Sequence, residues 1–380
     1  MKRSDRKSII SKTKRVIIKI GSSVLTDKKG NLSESVFDFL AGKISKIRSS
    51  NIEVIVVSSG AIASGMKKLH LSRRPTEISM KQAIAACGQS TLIWHYERAF
   101  SSFGQTVAQI LITHDGLADR KRFLNARKTL STLLDMGIIP IINENDTVAV
   151  EEIMLGDNDN LAALVTALVE ADLLILLTDI EGLYNKDPRK NRDAEFISLI
   201  DQIGEEIESV AGDTLGCATT GGMKTKIQAA RTAAAFGVPT IIANGKGETT
   251  LDDIFAGKDV GTVFLPSKKI LSGRKHWIAF TLKSAGELVI DGGAERAIIT
   301  QGKSLLPSGI KGVRGKFEIG ESVTCVDERG VEIARGLTSY NSEEIRRIMG
   351  RSTKEVESIL GYKYSDEVIH RDDLAVIEKH

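Results

Sequence analysis

The sequence predicts an α/β protein in which helices cover both faces of a largely parallel β-sheet, followed by a small all-β barrel. Up to about Leu265, short β-branched apolar runs alternate with longer segments of helical period. This alternation is typical of βαβ units around a parallel sheet. After about Ser267 the helical period is lost and glycine becomes frequent, which indicates a second, strand-rich domain.

The elements of the first domain follow from these periods. The predicted strands are Val16–Ile20, Val54–Ser58, Val107–Ile112, Ile138–Ile142, Leu173–Thr178 and Pro239–Ala243. The predicted helices are Ser33–Arg48, Met80–Phe103, Ala126–Met136, Asn160–Glu170 and Met223–Phe236. The run Leu173–Leu177 is apolar throughout, as expected of a strand that is buried on both faces.

The second domain is predicted to contain four short strands and two short helices. The strands are Gly286–Ile290, Arg296–Ile299, Ser322–Val326 and Glu332–Ala334, and the helices are Ser342–Gly350 and Thr353–Leu360. A basic stretch, Lys268–Lys275, resembles a linker. The predicted division is therefore a flexible basic arm at 1–14, a main domain at 15–266 and a barrel domain with its C-terminal tail at 277–373.

The composition is that of a soluble globular protein. Of the 380 residues, 42% are hydrophobic and 27% are charged, and the net charge of +3 neither demands nor excludes nucleic acid. Three scattered cysteines argue against a disulfide framework or a zinc site and fit a reducing cytoplasm. Seven Lys and Arg lie within Met1–Arg15 without an apolar segment after them, and no run is long enough to span a membrane.

Two polar clusters bracket a short segment of the main domain. Asn143–Asp146 follows an apolar run, and Asp157–Asn160 precedes a helical one. Amides and carboxylates at a strand end and a helix start can bind the charged ends of a small zwitterion. The alternative is that these residues form turns and a helix N-cap for local reasons.

The first strand carries an unexpected charge. Lys19 lies inside an apolar run and is followed by Gly21, Ser22 and Ser23. A lysine in a buried strand is costly unless it meets an anion, and small residues let a phosphate approach backbone N–H groups. The alternative is a lysine whose ammonium reaches solvent along its own side chain.

The turn after the second strand resembles a P-loop without being one. Gly60 and Gly65 have the spacing of that motif, but Met66 stands where the motif needs a lysine. The remaining interpretation is that Ser58–Gly60 lets a ligand lie close to the backbone at a helix start. Open α/β sheets bind ligands in such crevices, at the carboxyl ends of their strands.

Two further segments have the features of a nucleotide site. A strand ends at Thr178 and Asp179, and Tyr184 follows with a ring that could contact a base. The segment Thr220–Lys226 leads straight into a helix and comprises Thr220, Gly221, Gly222, Met223, Lys224, Thr225 and Lys226. Positive charges are unfavourable at the N-terminus of a helix, because the helix dipole is positive there. A bound polyphosphate would compensate for the charge of these lysines. Solvated lysines on a surface helix are the alternative.

Together these features predict a phosphoryl-transfer site. Lys19 and Lys226, on different elements, could both neutralise the charge of a moving phosphoryl group. Such catalysis rests on positioning and electrostatics and needs no Ser-His or Cys-His nucleophile.

The ordered motifs resemble those of a known family. KIGSSVLT, VVSSGAIASG, INENDTVA, GDNDNLAA, LLTDIEGLYNKDP and TGGMKTK are similar to motifs of the amino-acid kinase family, and the C-terminal third looks like a PUA domain. The resemblance implies an αβα sandwich around a mainly parallel eight-stranded sheet. It also implies phosphorylation of the γ-carboxylate of L-glutamate by ATP with Mg²⁺, the first step of proline synthesis.

The resemblance further implies regulation and partners. These are feedback inhibition by proline, a homo-oligomer (dimer or tetramer), and hand-over of the labile product to a downstream reductase. The segment before Arg15 lies outside the family pattern.

The resemblance also assigns roles to individual residues. Lys19 and Lys226 would stabilise the transferring phosphoryl group, and Asp159 would orient both lysines. Glutamate would be bound by Ser59, Gly60, Asn143, Asp146, Asp157 and Asn158. ATP would be bound by Lys19, Thr178, Asp179 and the segment Thr220–Lys226. No protein ligand for a metal is predicted.

Two other interpretations remain open. The chain could be a sister kinase that acts on aspartate, N-acetylglutamate, carbamate or a nucleoside monophosphate. It could instead bind RNA through the barrel domain, although basic and acidic residues there nearly balance and few aromatic rings are available for base stacking.

Overall fold

The computed structural model describes residues 4–27, 30–73, 75–149, 158–186, 188, 191, 193–204, 207, 222–266, 275, 278, 279, 282 and 284–377. The chain divides into two compact units, Met1–Lys269 and Ile270–His380. No helix in those described ranges is both long and apolar enough to cross a membrane.

An eight-stranded sheet forms the centre of the first unit. Its strands are β1 (Arg15–Ile20), β2 (Glu53–Ser58), β3 (Val107–Ile112), β4 (Ile139–Glu144), β5 (Leu173–Thr178), β8 (Leu199–Ile200), β9 (Thr240–Asn244) and β10 (Thr262–Phe264). Their order is β3-β4-β2-β1-β5-β9-β10-β8, and only the β9–β10 pair is antiparallel. A separate two-stranded hairpin consists of β6 (Leu183–Tyr184) and β7 (Phe196–Ile197).

Helices cover both faces of this sheet. They are α1 (Ser4–Lys12), α2 (Ser22–Leu25), α3 (Glu34–Ser49), α4 (Ala61–Lys68), α5 (Ile78–Ser101), α6 (His114–Ala118), α7 (Arg120–Asp135), α8 (Asn158–Val169), α9 (Met223–Ala235) and α10 (Thr250–Phe255). Helices α3 and α5 bury apolar side chains against one face in a core that includes Ile18 and Ile20 of β1. Helix α8 packs against β1 and β5, and also against α9. The predicted αβα sandwich around a mainly parallel eight-stranded sheet is confirmed.

The topology brings four strand ends to one edge of the sheet. The parallel strands β1, β2, β4 and β5 end at Ile20, Ser58, Glu144 and Thr178. Every polar motif of the first unit that lies in the described residues follows one of these ends or begins a helix beside it. The carboxyl edge of the sheet is therefore where a ligand site is expected.

Helix α4 is held at this edge by an unusually close crossing with α5. A Cβ atom on Gly88 of α5 would lie 1.9 Å from the carbonyl oxygen of Ala61, and one on Gly65 of α4 would lie 1.9 Å from that of Ile84. Gly60, which precedes α4, has a left-handed backbone (φ 114°) that glycine adopts without strain. These glycines fix where the first turn of α4 begins.

The N-terminal arm differs from the sequence prediction. Residues Ser4–Lys12 form helix α1, where a flexible basic arm was expected. The guanidinium of Arg6 is buried and hydrogen-bonded to backbone carbonyls near β8 and β10. The basic composition of the segment indicated solvation, but it contained no signal for these distant backbone partners.

The second unit is strand-rich, as predicted. One sheet contains β11 (Gly286–Ile290), β12 (Ile310–Gly315), β13 (Ser322–Val326), β14 (Glu332–Leu337) and β15 (Leu374–Val376), in the order β12-β11-β13-β14-β15. Its helices are α11 (Gly292–Gln301), α12 (Ser342–Ile348) and α13 (Val356–Leu360). The last two confirm the predicted short helices.

One predicted strand of the second unit is wrong. Arg296–Ile299 lies within α11, because the carboxylate of Asp291 accepts hydrogen bonds from the N–H groups of Gly293 (3.0 Å) and Ala294 (2.8 Å) and so caps a helix.

Candidate active site

A buried carboxylate between two buried lysines forms the centre of the site. Lys19 Nζ lies 2.6 Å from Asp159 Oδ1, and Lys226 Nζ lies 3.2 Å from Asp159 Oδ2. The hydroxyl of Thr225 donates a hydrogen bond to Asp159 Oδ2 at 2.8 Å. The side chain of Asp159 is 1% exposed, and those of Lys19 and Lys226 are 6% and 7% exposed.

Three different elements supply these side chains. Lys19 is the penultimate residue of β1, and alternation along the strand points it away from the face on which Ile18 and Ile20 pack. Asp159 lies in the first turn of α8, and Lys226 in the first turns of α9. Since α8 packs on both β1 and α9, the three charges meet at the carboxyl edge of the sheet.

The electrostatics of this cluster oppose the cost of burial. Burial alone would raise the pKa of Asp159, but the charges of Lys19 and Lys226 and the hydroxyl of Thr225 outweigh it and hold the pKa well below its usual range. Burial lowers the pKa of Lys226, and the charge of Asp159 opposes that change. Two positive charges against one negative charge leave a net positive site that suits an anion.

A small cavity adjoins the cluster. Its volume is about 120 Å³, and it is lined by Ser22, Ser59, Gly60, Ala61, Ile62, Ala63, Met66, Asn143, Asp146 and Asn158. Every residue predicted to bind the substrate, except Asp157, lines it. The first turn of α4 contributes Ala61–Ala63, and no side chain caps this helix start. Its backbone N–H groups therefore face a ligand position that favours negative charge.

A network of side-chain amides shapes the cavity. The Asn158 amide nitrogen lies 3.0 Å from Ser58 O, 3.1 Å from Ser59 Oγ and 2.9 Å from Asn143 Oδ1. Asn143 in turn donates to Gln89 Oε1 at 2.8 Å. These bonds join the ends of β2 and β4 to α5 and to the start of α8. Because the amides hold one another, they present fixed donors and acceptors to a ligand.

Asp146 is the acidic group of the cavity wall. Its side chain is buried, and burial raises its pKa to about 6. Burial deprives the ionised carboxylate of hydration, so a cation that enters the cavity stabilises the ionised form.

The predicted nucleotide residues lie on the other side of the cluster. Thr178 ends β5 and is buried. The charge of the exposed Asp179 is near enough to Lys226 to oppose the lowering of its pKa by burial. Gly222 is extended and begins α9 without a side-chain cap, and Met223 and Lys224 follow in the first turn. An uncapped helix start with a lysine next to it can bind phosphate.

Part of the predicted site lies outside the described residues. These positions are Asp157, Thr220 and Gly221. Sequence reasoning missed Gln89, Ile62 and Met66, which lie on α4 and α5 and have no polar cluster beside them in the sequence. Tyr96, whose hydroxyl lies 2.8 Å from Ser58 Oγ, was missed for the same reason.

Comparison with known proteins decides the family. A model described as the amino acid kinase family matches residues 14–244, more than half of the chain. The chain belongs to the amino acid kinase family. A second model, described as the PUA domain, matches residues 286–360 in the other unit. Both resemblances seen in the sequence motifs are confirmed.

Two similar proteins match nearly the whole chain. The glutamate 5-kinase of Geobacter sulfurreducens is 53% identical over 372 residues, which is 98% of this chain and 100% of that protein. The glutamate 5-kinase of Caldanaerobacter subterraneus subsp. tengcongensis is 51% identical over 365 residues, which is 96% of this chain and 98% of that protein.

A solved structure supports the family fold independently. The carbamate kinase from Giardia lamblia bound to AMP-PNP matches with a TM-score of 0.51 at 18% identity, and the match covers 68% of this chain and 100% of that one. At this identity the similarity establishes the fold alone.

The buried charge cluster predicts a stability effect. We expect Asp159→Asn to lower the free energy of unfolding by about 3–5 kcal/mol, because it leaves two buried ammonium groups without their counter-charge. Chemical denaturation followed by circular dichroism measures the change.

Thr225→Val is the matched comparison. It removes one hydrogen bond to the same carboxylate and leaves both ion pairs in place, so a loss of only about 1 kcal/mol is expected. Equal stability of wild type and Asp159→Asn would contradict this description of the cluster.

Proposed function

We propose that the chain transfers the γ-phosphoryl group of ATP to the γ-carboxylate of L-glutamate, giving γ-glutamyl phosphate and ADP. The observation that carries the proposal is the adjacency of Asn158 and Asp159. Asn158 lines a small polar cavity, and its neighbour holds two buried lysines. An acceptor bound in the cavity therefore lies beside the cations that a transferring phosphoryl group requires. The full-length similarity to two glutamate 5-kinases supports the same activity.

The cavity suits a small amino acid. Its volume of about 120 Å³ is below the roughly 300–1,000 Å³ of pockets for drug-sized ligands. Asp146 would receive the ammonium group of glutamate. The uncapped start of α4 and the hydroxyl of Ser59 would receive its α-carboxylate. The γ-carboxylate would then point towards Lys19 and Lys226.

The reaction needs little from the protein beyond positioning and charge. One oxygen of the γ-carboxylate forms the new bond to the γ-phosphorus, while the bond from that phosphorus to the bridging oxygen of ADP breaks. The nucleophile is already ionised at neutral pH, so no general base is required. The barrier comes largely from the repulsion between the γ-carboxylate and the phosphates of ATP as they approach. Lys19 and Lys226 would lower it by placing two cations next to the reacting groups.

The proposed cofactor is Mg²⁺, which would arrive with ATP. Mg²⁺ keeps several waters and binds phosphate oxygens together with one or two carboxylates. In the described parts of the chain, no group of three His, Cys, Asp or Glu side chains is placed to hold a metal. Asp179, exposed at the end of β5, has the donor chemistry to contact a nucleotide-bound metal. The ion would neutralise phosphate charge in addition to the lysines.

Several expectations from the family resemblance stay predictions. They are inhibition by proline, assembly into a dimer or tetramer, a role in proline synthesis in the cytoplasm, and hand-over of the labile product to a reductase. Proline shares the ammonium and the α-carboxylate of glutamate, so the same cavity could accept it.

The activity can be tested by trapping the acyl phosphate. Hydroxylamine converts γ-glutamyl phosphate to a hydroxamate, which forms a coloured complex with added ferric iron. Purified protein is therefore incubated with MgATP, hydroxylamine and glutamate, aspartate or N-acetylglutamate in turn. ATP-dependent hydroxamate with glutamate, lowered by proline, is the expected result. Activity with another acceptor alone would assign the chain to a sister kinase.

Both lysines should matter for turnover and little for glutamate binding. We expect Lys19→Met and Lys226→Met each to lower kcat by about 10²- to 10³-fold, the loss typical of removing one group that stabilises transition-state charge. Steady-state kinetics of the hydroxamate reaction measure it, with folding checked by circular dichroism. The exposed Lys128 on α7 supplies the control Lys128→Met, whose kcat should match wild type. A folded lysine variant with wild-type kcat would remove that lysine from the chemistry.

The pH dependence of glutamate binding should follow Asp146. Its pKa is about 6 in the free protein, so the carboxylate that binds the ammonium is lost as the pH falls through that value. We expect the KM for glutamate to rise from about pH 7.5 down to about pH 5.5, a range in which free glutamate keeps its charges. Asp146→Asn should have a KM at least about tenfold higher and independent of pH.

Asp146→Asn also provides the internal control, because any pH dependence of the KM for glutamate that remains in this variant comes from another group. A wild-type KM for glutamate that is flat across this range would contradict the role, as would a fall in kcat alone in Asp146→Asn.

A further inference from the structure

Arg6 of the N-terminal helix α1 binds backbone that is distant in the sequence. Its side chain is 9% exposed. The guanidinium donates hydrogen bonds to three backbone carbonyls, those of Val260 (2.5 Å), Ser198 (2.7 Å) and Gly261 (2.7 Å). Asp259 pairs with it at 2.9 Å but is 62% exposed, so this ion pair contributes little. The planar fork of donors suits arginine for holding several carbonyls at once.

These carbonyls lie towards the carboxyl edge of the sheet. Thr262, the first residue of β10, pairs with Ile242 of the antiparallel strand β9. Ile242 pairs in turn with Leu176 of β5, two residues before the end of that strand. Arg6 therefore holds the backbone at the level where β5 approaches the candidate nucleotide residues Thr178 and Asp179.

A second contact continues from this point to the β6–β7 hairpin. The hydroxyl of Thr262, next to Gly261, accepts a hydrogen bond from Leu183 N (2.7 Å) and donates one to Ile197 O (2.6 Å). One buried side chain thus binds both strands of the hairpin. Arg6 binds Gly261, the residue before Thr262, and Ser198, the residue after Ile197. The contacts of Arg6 and of Thr262 therefore lie side by side along the same two backbone segments.

The hairpin that follows β5 along the chain carries a pair of aromatic rings. Tyr184 of β6 packs edge-on against Phe196 of β7, with ring centroids 5.4 Å apart. Strand β6 begins at Leu183, soon after β5 ends at Thr178, so the backbone position of the hairpin determines where the Tyr184 ring lies relative to Thr178 and Asp179.

We propose that Arg6 is a positioning residue for the nucleotide: through Gly261, Thr262 and Ser198 it holds the β6–β7 hairpin in the place where ATP binds. The proposal rests on the proposed kinase function. Arg6 does not touch the reactants and acts through backbone that the hairpin shares. Its loss should therefore weaken nucleotide binding selectively and leave the glutamate cavity intact, since that cavity is built from α4, β4 and α8.

The test separates nucleotide binding from catalysis. Binding of ADP is measured by isothermal titration calorimetry, and KM values for ATP and glutamate are measured by the hydroxamate reaction. We expect Arg6→Ala to raise the Kd for ADP and the KM for ATP by about fivefold or more, the order of effect that a residue without ligand contact exerts through the backbone it positions. The KM for glutamate should not change. Arg6→Lys keeps the charge but loses the planar set of N–H donors, so its Kd for ADP and KM for ATP should lie between those of Arg6→Ala and wild type.

Two further variants keep the test informative if Arg6→Ala folds poorly. Thr262→Val removes the contact to both hairpin strands and should give the same nucleotide-selective loss. Lys12→Ala removes an equal charge from the exposed far end of α1 and should leave all three constants at wild-type values.

The possible failures can be told apart. A wild-type protein that binds no ADP and makes no hydroxamate would overturn the proposed function itself. Nucleotide binding by wild type that Arg6→Ala and Thr262→Val leave unchanged would overturn the positioning role alone. Equal rises in the KM for ATP and for glutamate would do the same, because they would indicate a general loss of structure.

Discussion

The pairing of one buried carboxylate with two buried lysines is the interaction on which the rest of the site depends. An isolated buried ammonium would lose its proton or find water, and two of them side by side would repel each other. Asp159 permits both Lys19 and Lys226 to remain at the carboxyl edge of the sheet. Because one negative charge faces two positive charges, the cluster is left with a positive charge that an incoming phosphoryl group can neutralise.

The first turn of α8 joins this cluster to the acceptor cavity. Asn158 bonds with the ends of β2 and β4, while Asp159 bonds with β1 and α9. Two consecutive residues therefore fix the relation between an amide-lined cavity and the cations beside it. A shift of α8 would disturb both halves together. The polar side chains of this helix are concentrated in its first turn, and its later turns are mainly apolar and buried.

Features that depend on residues close together in the sequence could be predicted, and features that depend on distant residues could not. Lys19 could be predicted because a lysine within an apolar strand requires an anion, and the strand itself supplies that signal. The main strands and helices could be predicted because their periods are local. Gln89 could not, since its partner Asn143 lies 54 residues away and nothing near Gln89 in the sequence marks a site. Arg6 could not either, because its partners are backbone carbonyls, which any residue provides.

In the proposed reaction both lysines contact the transferring phosphoryl group while Asp159 holds them in place. A crystal structure with MgADP, L-glutamate and aluminium fluoride, a planar mimic of the transferring phosphoryl group, tests it most directly. The account predicts that Nζ of Lys19 and of Lys226 both lie within hydrogen-bonding distance of the fluoride, about 3 Å. Asp159 should keep both ion pairs, and Asp146 should contact the glutamate ammonium. A complex in which either lysine points away from the mimic, or in which Asp159 leaves the lysines to contact a ligand directly, would contradict it.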